Sequence, residues 1–180
     1  IVQESCEIIL DSADNWRIVS RSSDDFTLDA IDFDHINWLE TIVQENLPGT
    51  IVTLYFYNGK WKVSNAEKAD IFWLSFANQK LKLSDKTHCC FIFKLIEDTV
   101  ILTGARNLVT QQELFVNEVE GQLFETYPTE KYYLFDSFGK LRNLDGGNEY
   151  TNHGSTLDKN KEYLICTRLN GRIIRQKLTS

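Results

Sequence analysis

VQENLPGTIVTLYFYNGKWKVSNAEK, residues 43–68, is the stretch on which the fold turns. Two runs of β-branched and aromatic residues, 50–57 and 60–64, flank Asn58-Gly59. Asn-Gly favours a two-residue type I′ hairpin because both of its positions tolerate positive φ, so the stretch predicts two antiparallel strands. At its head stands Glu45-Asn46-Leu47-Pro48-Gly49. Pro-Gly there reads as a turn at the head of the strand pattern.

Outward from this hairpin, runs of the same kind predict strands over 6–9, 16–20, 89–96, 99–104, 131–135, 162–168 and 172–177. Helical periodicity is sparser. It predicts short helices over DHINWLETIV (34–43), KADIFWLSFANQK (68–80, with Ile71, Leu74 and Phe76 on an apolar stripe) and TQQELFVNEVEG (110–121). RNLDGGNEYTNHGSTLDKNK, residues 142–161, has few apolar residues and reads as an exposed loop, its Gly-Gly a turn and not a phosphate cradle. The class expected is α+β, with mainly antiparallel sheets and a few flanking helices, in one domain spanning residues 1–180.

Composition narrows the function. A net charge of -7 with 26 acidic residues disfavours a DNA-coating basic surface and any general adhesion to polyanions, so a nucleic-acid contact needs a local basic patch. No apolar run approaches the roughly 18 residues that span a bilayer, and no basic-then-apolar leader opens the chain, so no membrane partner is expected. The chain contains no methionine and begins at Ile1, as expected of a processed chain or a piece cut from a longer polypeptide. Cys6, Cys89, Cys90 and Cys166 lack CxxC spacing and read as reduced, buried thiols of an intracellular protein, cytoplasmic or nuclear. His88 beside Cys89 and Cys90 is no metal set, since successive strand residues point to opposite faces. His35, His88 and His153 fall in no nucleophile motif, and neither GxSxG nor a Walker loop is present. No metal and no cofactor are expected.

Three passages, in order, resemble the phage-type RNA ligase branch of the covalent nucleotidyltransferase superfamily, which also holds DNA ligases and mRNA capping enzymes. In the first, ENLPGTIVTLYFYNGKWKVSNAEK follows the family's Glu-Lys-x-Asp-Gly, apolar strand, turn and second strand, with Glu45, Leu47, Gly49 and Thr50 in step. In the second, CCFIFKLIEDTVILTGARNLVTQQEL (89–114) is similar to a Phe-Glu-Leu-Val strand followed by a strand ending in Ala-Arg-Asn. In the third, KEYLICTRLNGRIIRQKLTS (161–180) is similar to a Glu-Gly-Tyr-Val strand, an Asn-Gly turn and a strand carrying Lys-x-Lys. The resemblance covers most of the chain from residue 43 onward, with shorter spacing than the family's, and implies a ligase adenylation-domain-like fold.

The departures imply a loss of catalysis. The family's lysine attacks the α-phosphate of ATP, and Asn46 occupies its position; a carboxamide nitrogen, delocalised into its carbonyl, is no nucleophile. Pro48 matches the family's aspartate, Ala66 falls at or near the arginine of Ser-x-Arg-Gly, Lys94 replaces a glutamate and Tyr163 a glycine. Upstream, RSSDDFTLDAIDF (21–33) is loosely similar to an Arg-x-x-Lys-Phe-Phe-Asn passage, with Asp25 where a lysine is expected. Glu162 keeps the family's glutamate, and Arg175 and Lys177 keep the two positive charges of the phosphate-binding lysines.

The expectation is a catalytically inactive RNA ligase-like domain that binds a nucleotide, a phosphate or an RNA end. Its candidate binding residues are Glu45, Asn46, Phe93, Lys94, Glu162, Arg175 and Lys177. Tyr55, Tyr57 and Phe93 offer rings for base stacking, although strand aromatics more often belong to a core. The alternative is a protein-interaction domain of a larger complex whose cleft is vestigial. A third, remoter expectation is an active enzyme in which Lys60 or Lys62 takes over from Asn46.

Overall fold

The structure, a computed structural model, describes residues 2–3, 6–10, 16–21, 31–32, 34–139, 141–142, 150–151, 157–158 and 160–178. In chain order its strands are β1 (Val2–Gln3), β2 (Cys6–Leu10), β3 (Trp16–Arg21), β4 (Thr41–Glu45), β5 (Thr50–Tyr57), β6 (Lys60–Val63) and β7 (Cys89–Ile96). They continue with β8 (Thr99–Asn107), β9 (Glu113–Leu114), β10 (Tyr132–Phe135), β11 (Leu141–Arg142), β12 (Tyr150–Thr151), β13 (Tyr163–Leu169) and β14 (Arg172–Lys177). Helix α1 is Ala69–Asn78 and α2 is Val116–Gln122, so the class is α+β with antiparallel sheets. The chain divides into two compact units, residues 1–23 with 48–129, and residues 24–47 with 130–180.

The first unit holds a five-stranded sheet in the order β6-β5-β7-β8-β9 and a three-stranded sheet β1-β2-β3. Pleating sends Val52, Leu54, Phe91, Phe93, Leu95, Val100 and Leu102 to one face, where Phe72 and Phe76 of α1 and Val119 of α2 close the core. Phe93 lies at its centre, its ring 5.5 Å from Phe72 and 5.3 Å from Tyr127. Cys89 joins this core, whereas Cys90 packs with Tyr55 in a separate cluster, so period-two alternation parts the two thiols. Cys89, Cys90 and Cys166 are free and buried. Among the described residues no helix is long and apolar enough to cross a membrane.

The opening stretch forms the expected hairpin. Asn58 and Gly59 take φ of 52° and 77°, and Tyr57 pairs with Lys60 across the turn. A second Asn-Gly, Asn170-Gly171, repeats the device between β13 and β14 with φ of 53° and 77°. At the head of this hairpin Gly49 lies in close contact with β7. A Cβ there would stand 2.8 Å from Cγ1 of Ile96 and 3.0 Å from the Leu95 carbonyl oxygen. The chain thus enters β5 pressed against β7, at a separation only glycine permits.

Several expectations are corrected. Residues 34–43 are not a helix: a 3-10 turn, Trp38–Glu40, capped by the Asn37 side chain accepting from the Leu39 N–H, leads into β4. The β-branched run Thr41-Ile42-Val43 suits a strand buried on both faces, and such a strand carries no alternation to read. Helix α1 forms, but it buries Phe72, Ser75 and Phe76, while Ile71 and Leu74 of the expected stripe are exposed. Within 110–121 only the second half is helical; Glu113–Leu114 pairs with β8, and the Glu118 carboxylate accepts the Phe115 N–H at the start of α2. Inside 142–161, Tyr150–Thr151 pairs with Leu141–Arg142, so the segment includes a strand pair as well as loop; its Gly-Gly lies outside the described residues.

Two measurements test this packing. Gly49→Ala is expected to lower unfolding stability by roughly 1–3 kcal/mol in urea titration, since the Leu95 carbonyl retreats only if β7 moves. Burial pushes the Cys89 thiol from 9.0 up to about 11, with Glu125 adding to the shift and Lys86 opposing it. A folded-state value above the unfolded one means stability fully present below pH 9 and lost as pH climbs to about 11. Denaturation at successive pH values is expected to show that decline, and Cys89→Ala to flatten it.

Candidate functional site

The second unit is a six-stranded sheet in the order β12-β11-β10-β4-β13-β14. Its middle strand, β4, unites the first and third motif-bearing passages. Glu45 pairs with Tyr163, Gln44 with Leu164 and Ile42 with Cys166, while across β13 Leu164 pairs with Lys177 and Cys166 with Arg175. Beyond the last β4 pair, the Asn46 N–H donates to the Glu162 carbonyl oxygen at 3.0 Å. Residues opposite one another on antiparallel strands share a face. Gln44, Leu164, Lys177, Ile42, Cys166 and Arg175 therefore lie on one face, and the ladder continues at its end through Asn46 and Glu162.

On the other face Val43, Tyr163 and Ile165 pack with Phe135 and Ile31. Glu45 has this parity, so the pleat separates its side chain from Arg175 and Lys177. The Glu45 carboxylate is buried and receives Lys161 Nζ at 3.1 Å. That hydrogen bond, with the attraction of the same carboxylate, raises the Lys161 ammonium above the usual lysine value. Tyr163, where the family has glycine, is buried; its ring meets Tyr133 at 6.2 Å and its hydroxyl accepts the Asp158 N–H. Burial, with Tyr163 and Glu45 adding to it, raises the Tyr133 phenol above its ordinary value.

The remaining candidates distribute as follows. Arg175 is half-buried with Nη1 3.4 Å from the Ile173 carbonyl oxygen, Lys177 and Glu162 are exposed, and Asn46 is half-buried. In the first unit Phe93 and Lys94 point to opposite faces of β7. Phe93 is a core ring with no exposed surface, which removes it as a stacking platform, whereas Lys94 is 8% exposed on the face away from α1. Tyr55 is buried, and Tyr57 is half-buried with Lys62 Nζ 5.0 Å from its ring centroid. The arginine of Ala-Arg-Asn, Arg106, is buried against Glu113 at 3.5 Å and donates to the Gln111 carbonyl oxygen, closing the β8–β9 turn. Ala66 is exposed on a 3-10 turn, and Asp25 lies outside the described residues.

Among the described residues no three His, Cys, Asp or Glu side chains are placed to hold a metal ion. On this face Ile42, Gln44, Leu164 and Cys166 are buried, and exposed surface is left to Asn46, Arg175 and Lys177; a guanidinium and an ammonium are groups suited to an anion. Sequence inspection missed Lys161 as the partner of Glu45, because the two are 116 residues apart and only the β4–β13 register joins them. Lys161→Met is expected to lower the unfolding midpoint by leaving a buried carboxylate without its cation, and Lys161→Met with Glu45→Gln to restore part of the loss in a double-mutant cycle. An undiminished midpoint in the single variant would show that the pair carries no stability. Comparison with protein-family models and with curated proteins finds no match to this chain in either.

Proposed function

We propose that the chain is a non-catalytic, nucleotidyltransferase-like binding module that holds a nucleotide, a phosphate or an RNA end on the β4–β13–β14 face. The observation that carries it is the strand order: Asn46, at the end of β4, and Arg175 and Lys177, on β14, which match the resembled family's nucleophile and phosphate-binding positions, come to one sheet with only β13 between them. Arg175 supplies a planar fork for a phosphate and Lys177 a point charge. Asn46 contributes hydrogen bonds in place of an attacking amine, so binding proceeds without a covalent adduct.

A second function, a protein-interaction domain, is favoured by one feature of the first unit. Phe124 is 81% exposed with a φ of 56°, a backbone region unfavourable for a bulky residue. It lines an open cup of about 510 Å³ with Glu120, Glu125, Tyr127 and Pro128.

Intact mass and thermal unfolding after incubation with ATP or GTP and a divalent metal separate these outcomes. The expected result is an unchanged mass with a raised melting temperature, by about 5–10 °C at a ligand concentration a hundredfold above Kd, lost in Arg175→Ala with Lys177→Ala. A mass increase of one nucleotide monophosphate would establish an enzyme. No shift with either nucleotide would overturn nucleotide binding and favour the protein-interaction function.

A further inference from the structure

We propose that the β5–β6 hairpin is a second binding surface, a contact for single-stranded nucleic acid in which Lys60 and Lys62 engage successive phosphates and the Tyr57 ring receives a base. Residues 46–66 contain two lysines and neither Asp nor Glu, in a chain with 26 acidic residues. Such a gap in the acidic surface is what a local polyanion contact requires when the global field is repulsive.

The register gathers the groups. Tyr55 pairs with Lys62 and Tyr57 with Lys60, so both tyrosines and both lysines share one face, while Phe56 and Trp61 pair on the other, where Trp61 packs toward the core. Lys60 and Lys62 are exposed and, two residues apart on a strand, stand about 6.6 Å from one another, a separation within reach of neighbouring phosphates on an extended strand. Tyr57 packs against the buried cluster of Tyr55 and Cys90, which supports its ring. Lysines on an edge strand such as β6 also block strand addition, yet that role is indifferent to a tyrosine beneath them.

In the free protein the Lys62 ammonium lies over the Tyr57 ring, 5.0 Å from its centroid. An exposed cation–π contact is weaker than stacking of a base on an aromatic ring. A base that takes the ring releases the ammonium onto its own phosphate, so one displacement makes two interactions. Aromatic stacking plus phosphate pairing does not discriminate sequence, and the ligand class is accordingly single-stranded RNA or DNA without base preference.

This surface belongs to the first unit and the nucleotide-binding face to the second, and the test separates them by using an oligouridylate of about 15 nucleotides with a 5′-hydroxyl end, which lacks the terminal phosphate. Fluorescence anisotropy across a salt series is expected to show binding that weakens with salt. In Lys60→Ala with Lys62→Ala the slope of log K against log salt is expected to fall by about 1.4, or about 0.7 for each lysine–phosphate pair removed. Tyr57→Leu, which keeps an apolar side chain over Cys90, is expected to weaken binding roughly tenfold with the slope preserved. Lys82→Ala, which removes an exposed lysine outside the hairpin, is expected to bind as the native chain does. Absence of binding at low salt, a native slope in the double lysine variant, or loss of binding only in the Arg175 and Lys177 variant would each overturn the proposal, whatever ATP does to the melting temperature.

Discussion

The backbone contact at Gly49 is the constraint around which the described structure is arranged. At this point the chain leaves β4 and enters β5 against Leu95 and Ile96, closer than a side chain allows. Because β5 must begin there, its register on β7 follows, from Thr50 opposite Leu95 to Leu54 opposite Phe91. That register puts Val52 and Leu54 beside Phe91 and Phe93, where the helices close over them. The glycine at the head of the hairpin is therefore favoured by packing, on a segment where the resembled family places a catalytic aspartate and glycine.

The pleat is the second organising rule, and it acts on function as firmly as on packing. On β7 it parts Phe93 from Lys94 and Cys89 from Cys90; on β4 it parts Glu45 from the face that carries Arg175 and Lys177. The residues that the resemblance groups together are thus divided among a core, an ion pair and the partly exposed strand β14. Glu45, which the resemblance groups with Asn46, is held instead by Lys161. Tyr163 fills the space that a glycine would leave and packs on Tyr133. Both side chains are held by internal contacts.

The acidity of the chain and the placement of its cations bear on one another. With a net charge of -7, long-range attraction for phosphate is absent, and recognition depends on short-range pairs within a Debye length of about 10 Å. Arg175 and Lys177 in one unit, and Lys60 and Lys62 in the other, the cations of the two proposed sites, are each spaced i, i+2 on a strand, so both charges of a pair share a face.

The sequence by itself determined the hairpins and most of the strands. Asn58-Gly59 and Asn170-Gly171 dictate their turns through backbone sterics, which are local, and the β-branched runs flanking them leave little choice of conformation. It determined as well that Asn46 cannot act as the family's lysine, since that follows from the chemistry of an amide. It misread the start of β4 as helix, because the five buried residues of that strand lack alternation, and it misplaced the buried stripe of α1, because Ile71 and Leu74 are as apolar as Phe72 and Phe76. Only tertiary structure decided which aromatic is core, which carboxylate meets Lys161 and which cations share a face. Those outcomes depend on the register between strands more than a hundred residues apart, and register is set by the simultaneous burial of both partners, a quantity that no local stretch of sequence contains.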